Sequence, residues 1–156
     1  MGVLSIERID VGPERLEALV HTKPSLSRTS AAAGVAERAV ALLPGLVRHT
    51  CENGTAHGIL AELADTETLH LLEHVAVELM ALAGSPRSLR AETARDFARD
   101  GAYTYRVSLA YDDDLVALGA LREGLGIVDW LLGEPAEKPD VGAMVAALRD
   151  KRAVKG

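Results

Sequence analysis

The sequence predicts an α+β domain in which helices pack on a mainly antiparallel sheet. Three observations carry this. The segment "AYTYRVSLAY" (102–111) alternates strictly, which puts Tyr103, Tyr105, Val107, Leu109 and Tyr111 on one face of a strand. The segment "DTETLHLLEHVAVELMALAG" (65–84) brings leucine and valine round at helical spacing, between a capping-type start and a Gly84 stop before Pro86. Finally, 156 residues at 48% apolar composition suffice for one compact domain with a real core and are too few for two ordinary ones.

Taken in order, "VLSIERIDV" (3–11) alternates well enough for a strand, and "RLEALVH" (15–21), after Gly12-Pro13, reads as a second strand or a short helix. "KPSLSRTS" is a polar loop. Ser30 then offers a cap to a helix through "AAAGVAERAVALL", ended by Pro44-Gly45. A short apolar piece, "GLVRHTC", runs into the turn-like "ENGTAHG". Helix 65–84 follows, with Asp65 or Thr66 as its cap. "SPRSLRAETARDFARDG" has four arginines and few apolar residues, and reads as a surface loop or a short exposed helix. The strand at 102–111 comes next, its tyrosines serving core packing rather than a stacking platform. Asp112 to Asp114 supply caps to the amphipathic helix "LVALGALREGLGIVDWLL", which forms despite three internal glycines. "GEPAEKPD" breaks it before a last helix, "VGAMVAALRDKR".

A formal charge of −6 provides no global basic surface, which argues against nucleic acid and anionic membranes as partners. The acidic excess would suit a cationic substrate, although many ordinary soluble proteins share it. Cys51 is the only cysteine, so no intrachain disulfide framework exists and a reducing, cytoplasmic setting is expected. Glu7 and Asp10 interrupt the N-terminus before any signal-length apolar run.

Chemistry concentrates in "HLLEH" (70–74). At 100° per residue, His70 and His74 sit about 40° apart on the helix surface, with Glu73 about 60° to the other side of His70. All three side chains can enter one cavity. Neutral imidazoles one turn apart are good zinc ligands, and a neighbouring carboxylate can act as general base. The order H-x-x-E-H is that of the inverzincins. Catalytic zinc normally takes three protein ligands, so a third must come from elsewhere. Four of the five histidines (49, 57, 70 and 74) fall close together, and Cys51 lies two residues beyond His49. His49 is the first choice for third ligand and Cys51 the second. Glu78, one turn after His74, is a ligand or a carboxylate that orients an imidazole. His57 is placed to meet substrate. The competing reading is a histidine pair that merely decorates a helix.

"LLPGLVRHTCENGTAHGILAEL" followed by "HLLEHVAVELMALAG" resembles the N-terminal domain of cyanophycin synthetases. The resemblance rests on Pro44-Gly45-Leu46, His49 and Cys51, Gly54 and Gly58, then His70, Glu73, His74, Glu78, Leu79, Ala83 and Gly84, and it spans residues 42–133. It implies a domain that holds, and in some members cleaves, a polymer with a polyaspartate backbone bearing arginines. No P-loop pattern is present, so a stand-alone version without the ATP-grasp and Mur-ligase-like domains is implied. The family's Gly-Gly-Phe turn and Gly-Thr-Trp-Leu segment read "AHGI" and "DTETL" here. The histidine face therefore carries over more fully than the polymer specificity. The expectation is a zinc-dependent amide or peptide hydrolase with His49, His70 and His74 on the metal and Glu73 as base, acting on cyanophycin or a related Asp/Arg peptide. The alternative is a non-catalytic polymer-binding or accessory domain.

Overall fold

A computed structural model describes residues 2–49 and 58–155, with side chains to residue 152. Four strands, β1 (Leu4–Val11), β2 (Arg15–Thr22), β3 (Ala91–Ala94) and β4 (Thr104–Ala110), form one antiparallel sheet in the order β1-β2-β4-β3. The helices are α1 (Val35–Leu42), α2 (Gly58–Ala64), α3 (Thr68–Leu82), α4 (Phe97–Asp100), α5 (Asp114–Leu131) and α6 (Val141–Lys155). The α+β class with an antiparallel sheet is the one that the sequence predicts.

The sheet buries one face by period-two alternation. Leu16, Ala18 and Val20 of β2 stand opposite Leu109, Val107 and Tyr105 of β4, and all six are buried. This settles residues 15–21 as a strand. In β1 the register shifts between Ile6 and Arg8, so Ile6 pairs with Val20 and Ile9 with Ala18. That bulge absorbs the adjacent polar pair Glu7-Arg8, which would otherwise turn the second half of the strand inside out.

Helices α3 and α5 pack on each other and on the buried sheet face. Two of the glycines inside α5 mark close approaches. A Cβ at Gly124 would lie 3.0 Å from Leu72 Cδ1 on α3, and one at Gly119 would lie 2.5 Å from Leu148 Cδ2 on α6. Asp113 caps α5 by accepting from the backbone N–H groups of Leu115 and Val116 at 3.0 and 3.1 Å. Helix α3 closes as a Schellman turn: Gly84 is at φ 103° and Ser85 N–H donates to the Met80 carbonyl at 2.9 Å.

Three local expectations change, those for Ser30, for the α3 cap and for residues 85–101. Ser30 caps nothing: Thr29–Ala31 is a 3-10 turn, and α1 starts after Gly34 at φ 72°. Thr29 is instead pinned in the core, its backbone N–H on the Thr66 carbonyl and its Oγ1 accepting from Thr66 N, both at 2.9 Å. Neither Asp65 nor Thr66 caps α3, because the first helical N–H, that of Thr68, donates to the Ser27 carbonyl at 2.9 Å. Asp65 pairs with Arg28 at 2.9 Å. "GLVRHTC" begins as a 3-10 helix, Pro44–Arg48, and "ENGTAHG" lies outside the described residues up to Gly58, which opens α2. Within 85–101, "AETA" is a strand, β3, although its residues have little β-propensity; pairing with β4 decides it.

Asp112, next to that cap, joins α6 to the end of α3. Its carboxylate accepts from Arg152 Nη1 at 2.6 Å and from Ser85 Oγ at 2.6 Å. Burial pushes its pKa up, but these bonds win and hold it below the ordinary 3.8. A depressed carboxyl contributes stability that is present in full above its unfolded value and lost as pH falls through the folded one. Asp112→Asn should therefore lower stability at pH 7 by about 1 kcal/mol. The deficit should begin to shrink below about pH 3.8, where the unfolded carboxyl protonates, and vanish only as pH falls through the lower native value. Urea unfolding of both proteins at pH 7 and near pH 3 checks this, and an equal deficit at both would contradict it.

Candidate functional site

Helix α3 cannot rotate to choose which face it presents, since Leu71, Leu72, Val75, Ala76 and Leu79 are fixed in the core. The remaining stripe carries His70, Glu73, His74 and Glu78. His74 Nε2 lies 3.1 Å from His70 Nε2, and donor atoms of His70, Glu73 and His74 all fall within 4.8 Å of one another. The convergence expected from "HLLEH" is present in the fold.

His49 arrives from the end of the 3-10 helix Pro44–Arg48. Its Nδ1 is 2.8 Å from His74 Nδ1 and its Nε2 is 2.9 Å from Glu78 Oε1. Both ring nitrogens of the first-choice third ligand are thus engaged away from the His70–His74 contact. Cys51 and His57 lie outside the described residues. Glu78 has no accessible surface, and Arg87 donates to both of its oxygens, at 2.8 and 3.3 Å. Burial would raise its pKa, yet the bonds from His49 and Arg87 and the guanidinium charge hold it below the usual carboxylate range. On the other flank, His70 Nδ1 lies 3.0 Å from Thr66 Oγ1 and 3.3 Å from Glu62 Oε1. The sequence pattern did not single out Glu62, Thr66, Arg87 or Thr93. No local signal marks the first two: Glu62 lies on α2 and Thr66 in the break before α3, so no single helical spacing relates them to His70.

Ionised Glu78 accepts from His49 Nε2–H, and the facing Nδ1 atoms of His49 and His74 share one hydrogen bond. His70 Nδ1 stands beside Thr66 Oγ1 and Glu62 Oε1, and the Nε2 atoms of His70 and His74 face each other. Burial, followed by the charges of His70 and His49, pushes the His74 pKa down to about 3, so this imidazole is neutral near pH 7. Burial also raises Glu73, an effect opposed by the 2.8 Å bond it accepts from Thr93 Oγ1.

His49, Glu73 and His74 line an open cleft of about 270 Å³, with Val77, Leu89 and Ala91 as its apolar wall and Arg48, Arg87 and Arg90 also lining it. A cavity of about 120 Å³ beside Glu17 and Arg106 is of a different kind. There Arg106 already pairs with Glu17 at 2.7 Å and Asp100 at 2.9 Å, so the charges answer one another.

Two imidazoles and a carboxylate presented by one immobile helix define a small α+β domain whose chemistry is concentrated on a single helix face. Residues 16–133 match the cyanophycin synthase-like N-terminal domain, and the chain belongs to that family. The match begins at β2, well before residue 42, where the sequence resemblance starts. No curated protein matches the chain.

The Pro-Gly-Leu of that resemblance has a local cause. A Cβ at Gly45 would collide with the Glu78 carboxylate, which His49 and Arg87 hold in place. Gly45→Ala should cost about 1–3 kcal/mol, the range for overpacking a filled site. It should also shift the imidazole NMR signals of His49 and His74. Unchanged stability and unchanged histidine signals would show that Glu78 is not locked.

Proposed function

We propose that this domain is a zinc-dependent hydrolase of an amide bond in a peptide or cyanophycin-like polymer. The observation that carries the reading is the convergence of His70 Nε2, His74 Nε2 and the Glu73 carboxylate. The donor set fits the ion: two imidazole nitrogens are zinc ligands, and the Glu73 carboxylate beside them is placed to take a proton. A 3.1 Å separation is close to the roughly 3.3 Å expected between two nitrogens on a tetrahedral zinc.

In this reading His70 and His74 hold the metal, and Glu62 with Thr66 on one side and His49 with Glu78 on the other orient their rings. Zinc, when bound, supplies a Lewis acid that polarises a carbonyl and makes water nucleophilic near neutral pH. Glu73, restrained by Thr93, takes a proton from the attacking water and passes it to the leaving amine. Its burial, which makes it more basic than an exposed glutamate, suits that task.

Metal analysis of untagged protein should give about one zinc per chain, lost in His70→Ala/His74→Ala. Metal content unchanged in that variant would refute the site. His49→Ala should weaken retention about 10- to 100-fold, as expected of a group that orients a ligand. Cys51→Ser tests the other candidate for third ligand, and a larger loss there would assign that role to Cys51.

Glu73→Gln should keep fold and zinc yet reduce turnover by about 10²- to 10⁴-fold. The assay offers cyanophycin, its β-Asp-Arg dipeptide and acidic and arginine-rich peptides, with products followed by mass spectrometry. Polymer binding without cleavage across added zinc, manganese and cobalt would favour a non-catalytic domain.

A further inference from the structure

The sheet ends beside the histidine helix in a strand whose outer edge has no hydrogen-bond partner among the described residues. β3 pairs with β4 and stands last in the order β1-β2-β4-β3. Ala110 N–H donates to the Arg90 carbonyl at 2.9 Å, and bonded and non-bonded pairs alternate along an antiparallel ladder. With Ala91 opposite Leu109 and Ala94 opposite Arg106, Glu92 and Ala94 therefore turn their backbone groups to β4, while Ala91 and Thr93 turn theirs outward. The same two residues are half-buried and point their side chains toward the site, whereas Glu92 and Ala94 are exposed. Ala91 lines the cleft with Glu73 and His74, and Thr93 Oγ1 donates to Glu73 at 2.8 Å. The two edges of the sheet differ. β1, at the far edge, carries a bulge between Ile6 and Arg8 and the charges of Glu7, Arg8 and Asp10, features that discourage pairing. β3 keeps its register with β4 throughout and contains neither lysine nor proline.

We infer that the β3 edge is a docking strand for an extended peptide, which adds to the sheet through the N–H and C=O groups of Ala91 and Thr93 and so lies along the cleft of Glu73 and His74. This deepens the hydrolase reading by naming how its peptide is held. It rests on that reading only for the bond presented; the docking itself stands on the strand. Two outward residues supply two donors and two acceptors to a strand lying about 4.8 Å beyond the edge. Affinity then comes from the peptide main chain rather than from any one of its side chains. Thr93 couples the two functions: its backbone grips the peptide while its hydroxyl holds the Glu73 carboxylate, so one residue ties the bound main chain to the general base. Ala91 suits its place because a methyl group leaves the cleft beside it open.

The test reads main-chain hydrogen bonds rather than cleavage. The full chain, treated with chelator and separately loaded with zinc, is titrated with acetyl-Ala-Asp-Ala-Asp-Ala-amide and followed by amide NMR. Binding should protect the Ala91 and Thr93 amides from hydrogen exchange and leave Glu92, already bonded to β4, unchanged. Two isomers of the peptide carry a pair of N-methyl groups, either on alternate residues, which leaves one edge of the peptide whole, or on adjacent residues, which spoils both edges. The alternate isomer should bind within about two-fold of the parent, and the adjacent isomer about five-fold or more weaker, the loss expected for one hydrogen bond. Ala91→Pro removes an outward donor at the first residue of an edge strand, where proline is tolerated, and should weaken binding by a similar factor. Ala91→Ser keeps the donor and should not. If Ala91→Pro fails to fold, the two isomers still decide. Equal weakening by both isomers, unprotected Ala91 and Thr93 amides, or no binding would each overturn the docking strand. So would a concentration-dependent dimer that protects the same two amides, since the edge would then serve a second copy. Edge pairing without cleavage in the zinc-loaded protein keeps the docking strand and defeats the hydrolase reading; zinc-dependent cleavage with both amides unprotected does the reverse.

Discussion

The buried carboxylate of Glu78 is the constraint around which this site is organised. A carboxylate with no accessible surface costs several kcal/mol unless charge and hydrogen bonds answer it. Arg87 answers from the segment after α3, and His49 answers from the 3-10 helix before α2. Two stretches distant in sequence are thereby drawn onto one helix, and Gly45 is smooth because the carboxylate occupies the space where its Cβ would be. The consequence extends to His74: Glu78 holds His49 by Nε2, and His49 Nδ1 in turn bonds His74 Nδ1. A group that touches neither converging Nε2 atom therefore helps to orient the His74 ring.

What was legible in the sequence was whatever a single periodicity could express. The α3 stripe and the Asp113 cap follow from local pattern, and the fold keeps both. Of the β4 stripe it buries Tyr105, Val107 and Leu109, while Tyr103 precedes the strand at φ 68° and is exposed, and Thr104 and Ser108 of the other face are buried too. "AETA" was illegible as a strand because its conformation comes from β4, not from its own side chains. Ser30 looked like a cap because its type and position were right. The chain there answers instead to Thr29, whose bonds to Thr66 tie the loop to the start of α3. At the site, the helix angles alone gave His70, Glu73 and His74, since all three ride on one rigid element. His49 was placed as the third metal ligand, but its bonds to His74 and Glu78 were not legible, because its partner at each nitrogen lies 25 or 29 residues away. Arg87 was read as part of a solvated charged stretch, although its guanidinium neutralises the buried carboxylate.

The same limit applies to charge. Net charge sums over the whole surface, whereas a ligand meets the field of one cleft. Most of the acidic excess lies elsewhere or is neutralised in pairs such as Asp65 with Arg28, Asp100 and Glu17 with Arg106, and Asp112 with Arg152. Net charge therefore does not report the field that a ligand meets in any one cleft.

Helix α3 divides its labour by depth. Its core residues hold the helix immobile, so the angular relation of His70, Glu73 and His74 is inherited from backbone geometry and costs little further ordering. Orientation about each imidazole's own bonds is a separate freedom, which helix geometry does not remove. Glu62 and Thr66 act on His70, while Glu78 acts on His74 through His49, and each pair uses the ring nitrogen remote from the shared contact. The two Nε2 atoms stand 3.1 Å apart beside Glu73. Such two-sided restraint fixes the planes of both rings as well as their positions, so the mutual geometry of His70, Glu73 and His74 is set by the fold.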